Sequence, residues 1–259
     1  MWGARGPTIR QLMPLSSPSS TAGILLQQAR VELSGRVILP ELSLHLVERR
    51  IGIIGRNGSG KSTLLRLIAG LVAPVSGEVR VEGQDPAKDR RALLRHLGIL
   101  FQNPDHQILF PTVEEELAFG LIQMGTDKAT ALSQVHARLR AEGRADWATT
   151  PVANLSQGQR HWLCLLAVMM MKPATILLDE PLAGLDLPTQ IRLSRIFASL
   201  PQRLITISHD PASVADCDRV IWLDAGRIRD DGPPDAVLPT FLAAMKTLGQ
   251  SDADADVPR

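Results

Sequence analysis

Gly55-Arg56-Asn57-Gly58-Ser59-Gly60-Lys61-Ser62-Thr63 is the stretch that decides the fold. It follows the apolar run Ile51–Ile54 and leads into Leu64-Leu65-Arg66-Leu67-Ile68-Ala69, which reads as a helix stopped by Gly70. A buried strand, a glycine-rich turn and a helix start, in that order, make a phosphate-binding P-loop. Glycines let successive backbone N–H groups curl around an anion with no Cβ in the way. The positive end of the helix dipole points at the same place. Lys61 is expected to reach the β- and γ-phosphates of a nucleotide, and the Ser62 hydroxyl to hold Mg²⁺.

Outward from this stretch the chain alternates strand and helix. Ile24–Leu33 and Leu42–Val47 read as strands on the N-terminal side, separated by the turn-like Ser34-Gly35. On the C-terminal side Gly77–Glu82 reads as a strand, Pro86–Arg95 as a short helix and Leu97–Phe101 as a buried strand. From about Pro104 to Met171 the strand signals stop, and Val113–Met124 and Lys128–Ala141 carry helical spacing, as an inserted helical lobe would. Ser156 opens a further helix to about Met171, whose Trp162, Leu163, Leu165, Leu166, Met169 and Met170 read as core packing. Strand texture returns with Ala174–Asp179, Arg203–Ser208 and Arg219–Asp224, with a helix at Pro188–Leu200 between the first two and a last helix at Pro233–Met245. The expected class is α/β: a P-loop NTPase core with a mostly parallel sheet, an antiparallel β subdomain and the helical lobe. Residues 23–246 form this unit. Residues 1–22, rich in Ser, Pro and Arg, read as a disordered arm, with Met13 as an alternative start, and the acidic residues 247–259 read as a disordered tail.

Composition narrows the function. The 28 Lys and Arg nearly cancel 27 Asp and Glu, so no basic surface points to nucleic acid or anionic lipid. No apolar run approaches the length of a membrane span. The two cysteines, Cys164 and Cys217, sit in apolar or mixed segments and read as buried thiols of a reducing compartment. A cytosolic enzyme is the expectation.

The strand Ala174–Asp179 ends in Asp179-Glu180. At the C-terminal edge of a parallel sheet these carboxylates face the ligand crevice beside the P-loop. Asp179 there suits Mg²⁺, and Glu180 suits polarisation of an attacking water. Leu155-Ser156-Gln157-Gly158-Gln159 lies just before a helix, with Ser156 23 positions upstream of Asp179.

Together with the P-loop, this pentapeptide resembles the signature motif of the ATP-binding cassette (ABC) family, and the resemblance runs from about Ile24 to Phe241. It implies that Gln102, after the strand Leu97–Phe101, touches Mg²⁺ and the attacking water. It also implies that Ala183-Gly184-Leu185-Asp186 is the D-loop and that His209 meets the γ-phosphate. The nucleotide is ATP, held by residues Gly55 to Thr63 of one chain and by Ser156, Gly158 and Asp186. Ser156 and Gly158 sit at a helix N-terminus that the lobe carries away from its own P-loop, so they serve a nucleotide held by a second cassette. A homodimer sandwiching two ATP molecules is implied.

Two positions depart from the family pattern. Gln157 stands where a glycine is usual. Leu33 stands where an aromatic residue usually stacks on adenine, in a chain without tyrosine. A guanidinium from Arg30 or Arg36 is the alternative stacking plane.

Within the family, Phe101–Phe110 and Pro111–Gly120 are similar to the ATPases of energy-coupling-factor (ECF) vitamin and metal-ion importers. Leu155–Trp162 and Asp179–Thr189 look closest to the biotin-transport ATPases of that group. The resemblance implies an integral-membrane coupling subunit, a substrate-binding membrane subunit and a peripheral position on the cytoplasmic face of the membrane. A cobalt, nickel or other vitamin importer, or a non-transport ABC ATPase, are the alternatives. Only 94 positions separate Lys61 from Leu155, which leaves no room for the long coiled coil of the repair and chromosome types.

Overall fold

A computed structural model describes residues 23–88 and 90–250. The arm expected at 1–22 and positions 251–259 of the expected tail lie outside the described residues.

Two sheets share one core. In the smaller, β1 (Ile24–Leu33) lies between β2 (Arg36–Leu46) and β4 (Ser76–Val81), antiparallel to both. Pro40 sits inside β2, which is possible because β2 is an edge strand and has one side free of ladder bonds. The strand therefore starts at Arg36, ahead of the Leu42 expected from sequence. The larger sheet runs β5-β6-β7-β3-β8-β9, with β5 (Leu97–Leu100), β6 (Thr175–Asp179), β7 (Arg203–Ser208), β3 (Arg50–Ile54) and β8 (Arg219–Asp224) mutually parallel. β9 (Arg227–Gly232) adds an antiparallel edge that the sequence reading did not include.

Parallel strands buried on both faces read as continuous apolar runs. β3 follows this rule, with Ile51, Ile53 and Ile54 fully buried. Between the two sheets, Ile24, Leu26, Leu39 and Leu46 meet Leu64, Leu65 and Ile68 of α1 (Lys61–Ile68) in one cluster. Arg203 joins the sheets from the side. It pairs with Glu82 at 2.7 Å and donates to the carbonyls of Val47 and Glu48.

The inserted lobe lies between β5 and β6. It contains α3 (Val113–Gln123), α4 (Lys128–Ala141) and α5 (Gln157–Met170), closed around Val113, Leu117, Val135, Leu139, Leu163 and Leu166. α5 presents Leu165 and Val168 to a second cluster with Leu100, Ile176 and Leu178, which fastens the lobe to β5 and β6. α6 (Leu187–Ser199) begins on Asp186, whose side chain accepts from Thr189 N–H at 3.2 Å. α7 (Pro234–Gln250) covers Trp222 and Val214 with Val237 and Phe241, and runs on past the Met245 expected as its end. The helix expected over Pro86–Arg95 shrinks to α2 (Arg90–Leu93).

Candidate active site

The register of the larger sheet gathers the site. Ile54 pairs with Ser208, and Asp179 with Ile207, so β3, β6 and β7 end along one edge. The P-loop, the carboxylates and His209 therefore leave the sheet side by side.

Glycine is required where the P-loop turns. A Cβ on Gly55 would lie 2.2 Å from the carbonyl oxygen of Leu223, and Gly60 has φ +102°. Both positions exclude a side chain, the first by contact and the second by conformation. Lys61 is buried and donates to the carbonyls of Gly55 at 2.6 Å and Arg56 at 2.9 Å, spanning its own loop. Burial lowers the pKa of this ammonium, with Glu180 and then Asp179 pulling the other way. The buried Ser59 hydroxyl has no hydrogen-bond partner in the described structure. Ser62 is exposed at the first turn of α1.

Asp179 and Glu180 differ in environment. Burial raises the pKa of Asp179, the neighbouring Glu180 adds to the rise, and Lys61 and Arg66 oppose it. Glu180 has φ +47°, a left-handed conformation uncommon for a residue with a Cβ. Such backbone costs roughly 1–3 kcal/mol and persists where the surroundings hold it. Three bonds hold it here. Its N–H donates to Ile207 O at 2.9 Å, Ser208 Oγ donates to Oε2 at 3.1 Å, and His209 Nδ1 lies 2.7 Å from Oε1. A carboxylate only accepts, so the His209 proton sits on Nδ1 in that contact. A groove of about 980 Å³ reaches the site at Glu180 and His209 and runs along β7 to Arg49 and Arg50. The P-loop is outside its lining, so this volume is not that of a nucleotide site.

The second set of candidates lies at the start of α5. Ser156 caps α5 in a reciprocal box: its Oγ accepts from Gln159 N–H at 3.3 Å, and Gln159 Oε1 accepts from Ser156 N–H at 2.7 Å. The Ser156 O–H proton is not used by that cap. Gly158 lies against Thr189 of α6, where a Cβ would come to 3.1 Å. The signature turn thus rests on the helix that Asp186 starts. Gln102 is exposed, and its carbonyl faces His161 Nε2 at 3.2 Å. Leu33 packs against the core, and Arg30 is engaged with Glu32 at 2.5 Å.

Sequence reasoning missed three contributors: Ser208, the strained backbone of Glu180, and the contacts that Arg160 and His161 make from α5. Only Ser208 carried a local signal, as the residue before His209. Three acidic residues of the lobe have partners within it. Asp105 pairs with Arg160 and Glu114 with His136, while buried Glu116 accepts from Leu109 N–H and Phe110 N–H.

Among the described residues no helix is long and apolar enough to cross a membrane. No group of three or more His, Cys, Asp or Glu is placed to hold a metal among them either. A magnesium ion bound with a nucleotide needs fewer protein ligands, since phosphates and waters supply the rest.

Comparison with known proteins gives the family. The family model described as "ABC transporter" matches residues 40–183. A biotin transport ATP-binding protein, BioM of Rhodobacter capsulatus, is 50% identical over 223 residues, covering 86% of this chain and 95% of that protein. An energy-coupling factor transporter ATP-binding protein, EcfA1 of Ligilactobacillus salivarius, is 36% identical over 208 residues, covering 78% and 74%. The solved structure of cbiO1 from Clostridium perfringens, described as part of the ABC transporter complex cbiONQ, superposes with a TM-score of 0.71 at 26% identity. That match covers 92% of this chain and 97% of the other.

Proposed function

The chain belongs to the ABC transporter family and is an ATP-binding, ATP-hydrolysing subunit, and on that premise we propose that it powers an ECF-type importer of biotin. One observation carries the substrate: the half-identity to a biotin transport ATPase extends over nearly all of that protein's length.

In this reading Gly55–Thr63 wraps the phosphates of ATP, with Lys61 moving from its loop carbonyls to the β- and γ-phosphates. The buried Ser59 hydroxyl, with no hydrogen-bond partner, fits an anion-binding turn. Ser62, Asp179 and Gln102 offer the all-oxygen donors that Mg²⁺ takes. When bound, the ion neutralises charge on the transferring phosphoryl group. Glu180, oriented by Ser208 and His209, accepts the proton of the attacking water. His209 meets the γ-phosphate by donating from Nε2, which requires the ring either to leave Glu180 in the other tautomer or to carry a proton on both nitrogens.

Ser156 and Gly158 cap a second ATP, held by the P-loop of another cassette, and Asp186 stands beside them. This chain carries both halves of the site, so two copies make two complete sites and a two-fold homodimer is the default. The membrane partners are a coupling subunit that receives the closing motion and a subunit that binds biotin, with the chain on the cytoplasmic face.

The test is purification of the complex from native membranes together with biotin uptake after deletion of the gene. We expect two hydrophobic subunits to co-purify with a single kind of cassette, and biotin uptake to fall. Unchanged biotin uptake with lost cobalt or nickel uptake would move the substrate to the metal-ion importers. A second, different cassette in equal amount would end the homodimer reading.

A further inference from the structure

His161 has no part in the chemistry above, yet it is the only histidine among the buried side chains of the described residues, at 1% exposure. It lies in the second turn of α5, and each ring nitrogen faces a carbonyl oxygen. Nδ1 is 3.1 Å from Gln157 O, in the signature turn, and Nε2 is 3.2 Å from Gln102 O, in the segment after β5. Carbonyls only accept, so a neutral ring bonds only one of them. Gln157 O, four residues back in α5, already takes the helix's own N–H, which favours the tautomer whose Nε2–H donates to Gln102 O. Groups buried this deeply are placed by their hydrogen bonds, because an unmade one costs the full desolvation of the group.

The preceding residue makes a parallel contact. Arg160 Nη1 meets Asp105 Oδ1 at 2.7 Å. The segment between Gln102 and Asp105 is braced by its own bonds: Asn103 Oδ1 accepts from Asp105 N–H at 2.9 Å, and Gln107 Oε1 accepts from Phe101 N–H at 3.1 Å. Two consecutive residues of the signature helix thus grip both ends of a stiff turn that carries Gln102. The inner grip is buried and the outer one is half in solvent, so His161 is the stronger of the two.

We propose that His161 is a positioning residue that fixes Gln102 relative to the Ser156–Gly158 turn. The two elements that address the nucleotides then keep one spacing when the lobe moves. This rests on the reading of Gln102 and Ser156 as nucleotide-facing groups. Its effect is on the reacting geometry rather than on ground-state binding, so kcat carries it and KM for ATP does not.

Two conservative variants separate the contacts. A glutamine amide nitrogen reaches about as far as Nε2 of histidine, and an asparagine amide nitrogen about as far as Nδ1. His161→Gln therefore retains the contact to Gln102 O, and His161→Asn retains only the one to Gln157 O. The experiment measures steady-state ATP hydrolysis by the purified full chain with magnesium, alongside melting temperatures and the Glu180→Gln variant. His161→Asn should lose roughly 10–100-fold in kcat with KM unchanged, the scale of an ångström's misplacement. His161→Gln should stay close to the unaltered chain. Equal activity in both variants, a rise in KM at constant kcat, or failure of both to fold would overturn the proposal, the last by making His161 a packing residue. Hydrolysis surviving in Glu180→Gln would instead overturn the reading of the site itself.

Discussion

The edge of the parallel sheet and the N-terminal end of α5 are built on opposite terms. At the sheet edge Ser62 and His209 are exposed, while Lys61, Asp179 and Glu180 are buried or half-buried and held against their preferences. Lys61 has its pKa lowered by burial, Asp179 has its own raised, and Glu180 keeps a left-handed backbone. At the start of α5 nothing is strained. Ser156 is exposed, completes a reciprocal cap with Gln159, and sits on a helix packed along its whole apolar face. A site that changes bonds needs groups whose charge is awkward until the ligand arrives. A site that only receives a phosphate edge needs a well-formed helix end with donors left over. The contrast fits the proposed function, in which the core does the chemistry and the lobe the recognition.

The largest expected effect tests the chemical half. Glu180→Gln retains shape and hydrogen bonding to Ser208 but gives up the base. It should slow hydrolysis roughly 10²–10⁴-fold while ATP binding persists and the ATP-bound dimer accumulates on a sizing column. Turnover near the unaltered rate would remove Glu180 from the role. Lys61→Ala should differ in kind, with nucleotide binding itself lost, as titration with a fluorescent ATP analogue would record.

Next in size is the recognition half. Ser156→Ala removes a donor to a phosphate oxygen, a charge-assisted bond of about 1.5–3 kcal/mol, and a helix cap of about 1 kcal/mol. Circular dichroism measures the second loss and steady-state hydrolysis the sum. If core and lobe serve different nucleotides, mixing Lys61→Ala chains with Ser156→Ala chains should restore hydrolysis. In the mixed dimer one composite site has its P-loop and signature both intact. No recovery on mixing, with mixed dimers shown by mass spectrometry, would place both halves on one nucleotide.

Most of this division was legible in the sequence because both halves rest on local rules. A strand, a glycine turn and a lysine declare the P-loop; Ser156 ahead of an apolar stripe marks the start of α5. β7 and β8 were read to the residue since continuous apolar runs end sharply at polar ones. β9 was not, because Arg227-Ile228-Arg229-Asp230-Asp231-Gly232 has a single apolar residue. It is held from outside, by Arg219 on Asp231 and Thr240 on Asp230. The same limit hid His161 and Ser208, whose partners lie 59 and 28 positions away. Contacts between distant segments leave no periodic trace.

A smaller effect concerns stability, and its sign follows from the raised pKa of Asp179. A carboxyl whose folded pKa exceeds its unfolded value favours the fold fully below the unfolded pKa, near 3.8, and loses that contribution as pH rises through the folded value. At neutral pH the half-buried Asp179 therefore works against the nucleotide-free fold. Asp179→Asn should raise the melting temperature at pH 7 in a chelating buffer, and the gain should shrink toward pH 4. A lower melting temperature at pH 7 would show that the attraction to Lys61 outweighs the burial of the charge.

The smallest effect on the chain itself is expected where the lobe meets solvent. Asp105 and Glu114 lie on the segment that begins at Gln102, beside Leu109, which is 66% exposed. An apolar knob among acidic groups suits a cytoplasmic helix bearing arginine. Acidic residues also favour helix starts for their own sake, and each acid here has an internal partner. Glu116 is buried on two backbone amides, so reversing it is a folding lesion and no test. Asp105 is different. Its side chain is 61% exposed and its one ion pair, to Arg160, is of a kind that contributes about 0–1 kcal/mol. Asp105→Asn removes the charge without setting a second cation against Arg160. It should therefore leave the melting temperature and basal hydrolysis nearly unchanged while binding to the membrane subunit weakens, as pull-down from detergent extracts would measure. Glu114→Lys should act the same way, with the contact to His136 lost. Full assembly and full transport in both variants would mean that the acids serve only the lobe's own turns, and that Leu109 or another surface meets the membrane.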